Sequence, residues 1–275
     1  MRVKVERGST RDISCEEAAR PPAPHLASYI LKLNGYSERT SGLLRRYEFP
    51  GARVVLIFEF GPPLRVGVPG RRPEQSVRHA GGFVAGLDDG LTRTEHDGYQ
   101  SGLQLDLTPL GARLFLGLPL SELTGQVASF ADVLPEHRYL AEQLYELPDW
   151  AARFDCVERL VEESVMRSSV DLGAVSWALD YMGENAAAGT RELAEGSGYS
   201  QKHLIQLFRD RVGVSPKQLR RIQRFDRLLD FVRAAGEPRW SELAQELGYY
   251  DQAHLIRDVR DFAGVTPVGL RALFS

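Results

Sequence analysis

Two short stretches of this chain carry closely matched hydrogen-bonding side chains at the same spacing. Lys202, Ile205, Gln206 and Arg209 recur as Ala253, Ile256, Arg257 and Arg260; Ser200-Gln201 precede the first set and Asp251-Gln252 the second. Residues three, four and seven apart share one side of an α-helix, so each set makes one helix face, opposite an apolar face that in the first copy is Leu204, Leu207 and Phe208. Such a polar face has a defined chemistry. Arginine or lysine contacts guanine O6 and N7, glutamine pairs with adenine N6 and N7, and alanine or isoleucine lies against a thymine methyl, with about 1–3 kcal/mol of discrimination per good bidentate contact. The faces differ at Lys202/Ala253 and Gln206/Arg257, so the two halves should read unlike sequences.

An isolated helix with this face is ordinarily a solvated amphipathic surface. Repetition argues otherwise. Glu192–Tyr199 recurs at an offset of 50 with five identities in eight, and Ser200–Leu219 recurs at an offset of 51, after the inserted Tyr250, with ten in twenty. Each copy reads as helix, turn, helix and stop. Thr190 is placed to cap the first helix, Gly198 supplies the turn, and Ser200, replaced by Asp251 in the second copy, caps the next helix. Gly213 and Gly264 end that helix, and Ser215-Pro216 and Thr266-Pro267 then read as an N-cap followed by proline at the first helical position. A third helix should run from Pro216 to about Val232, joining the units, with Leu219, Ile222, Leu229 and Val232 as its buried stripe. The second copy departs at its start, where Trp240 stands in place of Thr190.

The formal net charge of −3 is unusual for a nucleic-acid binder, but the distribution is uneven. Between Lys202 and Arg233 nine basic side chains stand against three acidic ones. Arg220, Arg224 and Arg227 form a row on the linking helix that could touch a phosphate backbone or simply be solvated. His203 and His254 repeat beside the caps, where packing or a phosphate contact is the expected role.

These residues resemble the AraC/XylS family of bacterial transcription regulators. The resemblance covers residues 171–275 and rests on Leu193-Ala194, Gly198-Tyr199-Ser200, His203-Leu204, Phe208, Gly213 and Ser215-Pro216, with Gly248-Tyr249, Asp251-Gln252, Gly264 and Thr266-Pro267 in the second unit. One departure is Val259, where the second unit of the family usually has phenylalanine. The resemblance implies that the second helix of each unit enters adjacent major grooves, about 34 Å apart. The linking helix, at about 25 Å for its expected 17 residues, must set that distance. The resemblance also implies a cupin-like barrel in the first half with helices that dimerise.

The first half does change character. Leu103, Leu105 and Leu107 alternate with Gln104, Asp106 and Thr108 as a half-buried strand, and Val54 to Phe60 reads as a strand covered on both faces. Further strands are expected near Tyr29–Leu33, Leu43–Phe49, Gly82–Leu87 and Leu91–Thr94, with turns at Gly61-Pro62-Pro63 and Pro69–Pro73. Beyond Pro109 helical spacing takes over. Trp150, Phe154, Val157 and Val161 form a seam that suits either a partner helix or the chain's own barrel.

The fold expected is α+β in two domains: residues 1–148 as a β-rich sensor or dimerisation domain, 149–170 as an interdomain helix, and 171–275 as an all-α DNA-binding domain with units at 190–213 and 240–264. A ligand pocket would lie inside the barrel, lined by Tyr47, Phe49, Phe58, Phe60 and Phe83, unless those rings fill it. The expected partners are duplex DNA, a small-molecule effector, RNA polymerase and a second copy of the chain, in the bacterial cytoplasm. The longest apolar run, Val54–Phe58, is far too short for a membrane span. Residues 1–8 mix both charge signs without an apolar h-region, so no secretory signal is expected there. Cys15 and Cys156 have no neighbours at metal-ligand spacing, His79 and His96 stand alone, and no nucleophile elbow or phosphate loop is present, so neither a cofactor nor catalysis is expected. The competing readings are a ligand-independent dimeric DNA binder and a cupin-type enzyme with a DNA-binding tail.

Overall fold

The computed structural model describes all residues except 1, 11, 68–76, 89, 186–187, 235–238 and 275. The turn expected at Pro69–Pro73 lies outside the described residues. The first half is an antiparallel sheet of nine strands: β1 (Lys4–Ser9), β2 (Ile13–Arg20), β3 (Ile30–Glu48), β4 (Val54–Glu59), β5 (Arg65–Gly67), β6 (Val77–Arg78), β7 (Gly82–Ala85), β8 (Thr92–Leu107) and β9 (Val127–Ser129). Its path runs β1-β2-β3-β8-β4-β7-β9, with β5 bridging β8 and β6, and no pairing of β1 with β9 among the described residues. Four helices follow, α1 (Pro109–Leu116), α2 (Phe130–Val133), α3 (Leu140–Glu146) and α4 (Trp150–Arg167).

Strand alternation sorts the sheet into two faces. Val54, Leu56 and Phe58 of β4 and Leu103, Leu105 and Leu107 of β8 are fully buried, and Phe58 meets Phe130 of α2 edge-on at 4.9 Å. The opposite face carries Val55, Ile57 and Glu59 with Gln100, Gln104 and Asp106, and its buried Asp106 makes β8 covered on both sides rather than half-exposed. The segments expected as two strands near Tyr29–Leu33 and Leu43–Phe49 are one strand, β3, paired to β8 from Ile30–Leu107 to Glu48–Thr92 with an irregularity between Arg39 and Leu43. Its middle was not legible as a strand because the inward side chains there, Asn34, Tyr36 and Glu38, are polar. β1 and β2 were not anticipated either; every residue of β1 is exposed, so burial left no apolar pattern to read.

The seam on α4 is used within the chain. Phe154, Val157 and Val161 are buried against the chain's own core, and Arg20 of β2 bonds Glu158 at 2.5 Å and Asp155 at 2.7 Å. Trp150 lies over Gly35, where there is no side chain, stacks on Phe60 and Phe154, and donates its indole N–H to Glu16 at 3.1 Å.

The second half is helical: α5 (Gly173–Glu184), α6 (Thr190–Ser197), α7 (Gln201–Val212), α8 (Pro216–Ala234), α9 (Trp240–Glu246), α10 (Gln252–Ala263) and α11 (Pro267–Ala272). Thr190 is the first residue of α6, not its cap; Gly189 takes that position and no side chain caps α6, nor α9, whose N-cap is Arg239. The other caps form as read. Ser200 accepts from the His203 N–H at 3.2 Å, Asp251 from His254 at 2.7 Å, Ser215 from Gln218 at 3.3 Å and Thr266 from Gly269 at 3.2 Å. Gly198, Gly213 and Gly264 all have positive φ at the helix ends, the conformation glycine adopts without a Cβ penalty.

A Cβ on residue 35 would stand 2.3 Å from the Trp150 ring. Gly35→Ala should therefore destabilise the protein by about 1–3 kcal/mol through overpacking, read as a lowered midpoint in chemical denaturation.

Candidate nucleic-acid interface and inner cavity

Helix α7 is held by its C-terminal end. Arg113 of α1 reaches Asp210 at 3.3 Å, and the Thr124 hydroxyl donates to the Gly213 carbonyl at 2.6 Å. This leaves the opposite face open. Gln201, Lys202, Gln206 and Arg209 are exposed and Ile205 half-buried, while Leu204 and Phe208 are buried and Leu207 partly so. In α10 the pattern repeats: Gln252, Ala253, Arg257 and Arg260 are exposed, Ile256 is half-buried, and Leu255, Val259 and Phe262 are fully buried. Ser200 and Asp251 are exposed, but each has a side-chain oxygen engaged in capping. The structure thus brings each set of sequence-predicted side chains onto one open helix face.

Helix α8, 19 residues or about 28 Å long, carries the two units. Buried Asp258 of α10 ties the second unit to it, bonding Arg221 at 2.8 Å and lying 3.6 Å from Arg224, which also sits over the Tyr249 ring. Burial and the Asp258 charge push the Tyr249 phenol well above its usual range. Arg224 is therefore engaged inside the domain, and only Arg227 of the expected basic row is fully exposed. Arg220 is half-buried, its guanidinium pKa lowered by burial and by neighbouring Arg224. The rings of the repeated pair His203 and His254 lie against Tyr199 and Tyr249, the packing role expected of them.

The inner face of the sheet lines a partly open cavity of about 400 Å³. Val55, Ile57, Leu64, Val66 and Phe83 form an apolar wall; Lys32, Tyr36, Glu38, Arg46, Gln100 and Gln104 line the polar side. Phe49 and Phe83 do line it, as expected. Tyr47 is exposed, Phe58 lies on the other face of β4 against Phe130, and Phe60 packs on Trp150, so these three are not lining residues; strand parity turns them away. The polar side was missed by sequence reasoning, although the alternation Lys32, Asn34, Tyr36, Glu38 carried the signal. Arg46 grips Glu38 through two bonds of 2.7 and 2.6 Å, and Gln100 and His96 add two more. Burial alone would raise the Glu38 carboxyl, but these partners, Arg46 foremost, pull it to about 2. Glu59 is the reverse case, its one donor among the described residues being the Leu64 N–H at 2.8 Å, and burial pushes it up to about 7.

The cavity's rim touches the helical half. Phe49 meets Phe225 of α8 at 6.4 Å and Phe274 at 5.5 Å, and Arg53 lies 3.5 Å from both Asp106 and Asp226. No group of three metal-capable side chains gathers among the described residues, and no helix among them is long and apolar enough to cross a membrane.

Residues 193–272 match the family model of a helix-turn-helix domain. No curated protein matches the chain by sequence. Among solved structures the chain is similar to ToxT from Vibrio cholerae O395, at 10% identity and a TM-score of 0.48 over 85% of this chain and 97% of that one. It is similar also to the same protein bound to (E)-4-(8-methylnaphthalen-1-yl)but-3-enoic acid, at 10% identity and 0.49 over 85% and 98%. The values for unsaturated fatty acid bound wild-type ToxT from strain SCE256 are 10% and 0.48, over 92% and 97%. At these identities and scores the likeness bears on neither ligand nor partner of this chain. Residues 193–272 are a helix-turn-helix domain of the AraC/XylS type. The protein is a DNA-binding transcription regulator.

The buried Glu59 makes stability depend on pH. Its folded pKa of about 7 lies above the ordinary 4.5, so the folded state holds the extra proton between those values, and stability present below pH 4.5 is lost as pH rises through 7. Glu59→Gln should remove that loss, raising stability by up to about 3 kcal/mol at pH 8 and leaving it nearly unchanged at pH 4.5, in paired urea denaturations.

Proposed function

We propose that the protein reads an asymmetric DNA site through Gln201, Lys202, Ile205, Gln206 and Arg209 of α7 and Gln252, Ala253, Ile256, Arg257 and Arg260 of α10, with Ser200 and Asp251 orienting the helix starts. The observation that carries this is the exposure of both faces. None of their seven basic or glutamine side chains, Gln201, Lys202, Gln206, Arg209, Gln252, Arg257 and Arg260, has a side-chain hydrogen bond or ion pair among the described residues. The division of labour is residues 1–148 for sensing, 149–170 for connection and 171–275, with units at 190–213 and 240–264, for DNA. On this reading the protein is a regulator and not an enzyme, acts in the cytoplasm, and has duplex DNA, a small-molecule effector and RNA polymerase as partners.

The effector belongs in the inner cavity. Its volume suits a small molecule, its walls combine apolar and polar groups, and its rim residues Phe49 and Arg53 abut α8. A ligand that moved the rim by a fraction of an ångström would alter contacts on the helix that spaces the two reading heads. Differential contact in the two states is what a ligand needs to shift an equilibrium.

Two outcomes test this. Arg257→Ala should relax base preference at one position by about 1–3 kcal/mol in selection from a random duplex pool; an unchanged motif removes Arg257 from base reading. Melting of the full chain across a metabolite panel should find a compound that raises the midpoint, since saturation at 100 times the dissociation constant stabilises by about 2.7 kcal/mol. No shift with any compound favours a ligand-independent DNA binder.

A further inference from the structure

The register of three strands puts four inner-face residues side by side. Tyr36 of β3 and Glu59 of β4 both stand opposite Gly102 of β8, and Glu38 stands opposite Gln100, two residues along β8 on the same face. Gly102 has no side chain, and a Cβ there would meet the Tyr36 hydroxyl at 2.7 Å and the Phe58 carbonyl oxygen at 2.5 Å. The polar groups around it are therefore close-set.

Their hydrogen bonding is unbalanced. Glu38 is saturated by Arg46, Gln100 and His96. Gln100 spends its amide N–H on Glu38, and its Oε1 is buried without a donor. Glu59, 7% exposed, receives the Leu64 N–H on Oε1 while Oε2 is buried without a donor. Gln100 and Leu64 line the cavity, and Tyr36, another lining residue, has Glu59 as the strongest charge acting on it. Buried acceptors without donors are rare in folded proteins, and where two of them stand together beside a cavity a donor from a bound group, water or ion would complete their bonding. The two lining guanidinium groups are committed, Arg46 to Glu38 and Arg53 to Asp106 and Asp226 farther along the sheet, and the lining ammonium, Lys32, stands opposite Asp106 at that far end.

We propose that the cavity takes a ligand whose head is a multiple N–H donor, an ammonium or amidinium group, carried on an apolar body. The head would donate to Gln100 Oε1 and, where Glu59 has lost its proton, face the Glu59 carboxylate; the body would lie on Ile57, Leu64, Val66 and Phe83. A carboxylate head at this end would set lone pairs against lone pairs and charge against Glu38 and Glu59. The inference rests on the reading of the cavity as the effector site.

Tryptamine and indole-3-propionate share a ring and chain and differ in the head. In calorimetric titration of the full chain, tryptamine should bind about tenfold or more tightly than the acid. Gln100→Leu and Glu59→Gln should each weaken tryptamine about tenfold while leaving duplex binding intact, a readout that a merely unfolded variant would fail. Equal binding of both heads, preference for the acid, or tryptamine affinity unchanged in both variants overturns the donor head. If neither probe binds, but a neutral or anionic compound raises the melting midpoint, the cavity is an effector site of other chemistry and this inference falls alone. If no compound of any charge binds, both readings fall.

Discussion

Phe225 sits where three parts of the molecule meet. Its ring, fully buried on α8, stacks on Phe262 of the second reading helix at 4.7 Å and meets Phe49 from the cavity rim at 6.4 Å. An aromatic ring in such a junction contributes a large buried area and a preferred geometry, so none of the three neighbours can shift without repacking against the other two. The rest of the arrangement follows from that joint. α8 can act as a spacer between reading heads because its apolar stripe, from Leu219 to Val232, is buried along its whole length.

Charge is arranged on the same joint. The acids within the basic stretch are all engaged: Asp210 by Arg113, Asp226 by Arg53 and Asp230 by Arg233. Two of those three arginines come from the sheet-bearing half. Docking that half therefore masks negative charge on the DNA-binding half and leaves Lys202, Arg209, Arg257 and Arg260 as outward charge, which attracts a phosphate backbone. A chain of net charge −3 can in this way present a basic face.

The inner cavity stands apart from the main core. Ile57, Leu64, Val66 and Phe83 form their own apolar cluster, while a single larger cluster runs from the sheet through α4 into both helix-turn-helix units. The route from the cavity to the packing that holds the two halves together therefore runs through its rim residues Phe49 and Arg53, which are part of that packing.

The helical half was legible residue by residue. Ser200, Asp251, Ser215 and Thr266 cap the backbone within three residues of themselves, glycines at 198, 213 and 264 take positive φ, and the apolar stripes follow the helical period; all of these are local constraints, so sequence determines them. Even there Thr190 failed as a cap, since a residue type permits a cap and only the backbone path decides whether the chain uses it. The cavity was not legible. Gln100 meets Glu38 across 62 residues and Asp226 meets the backbone of Ala52 across 174, and nothing in either segment names its partner. Parity along β4 turned Phe58 into the core and Ile57 into the cavity, and a shift of one residue in register would have exchanged them. What the sequence by itself determined is the pair of reading helices, because their geometry is written at short range; which polar groups surround the cavity, and how its rim grips α8, only the tertiary structure decided, because strand register and long-range docking choose those neighbours.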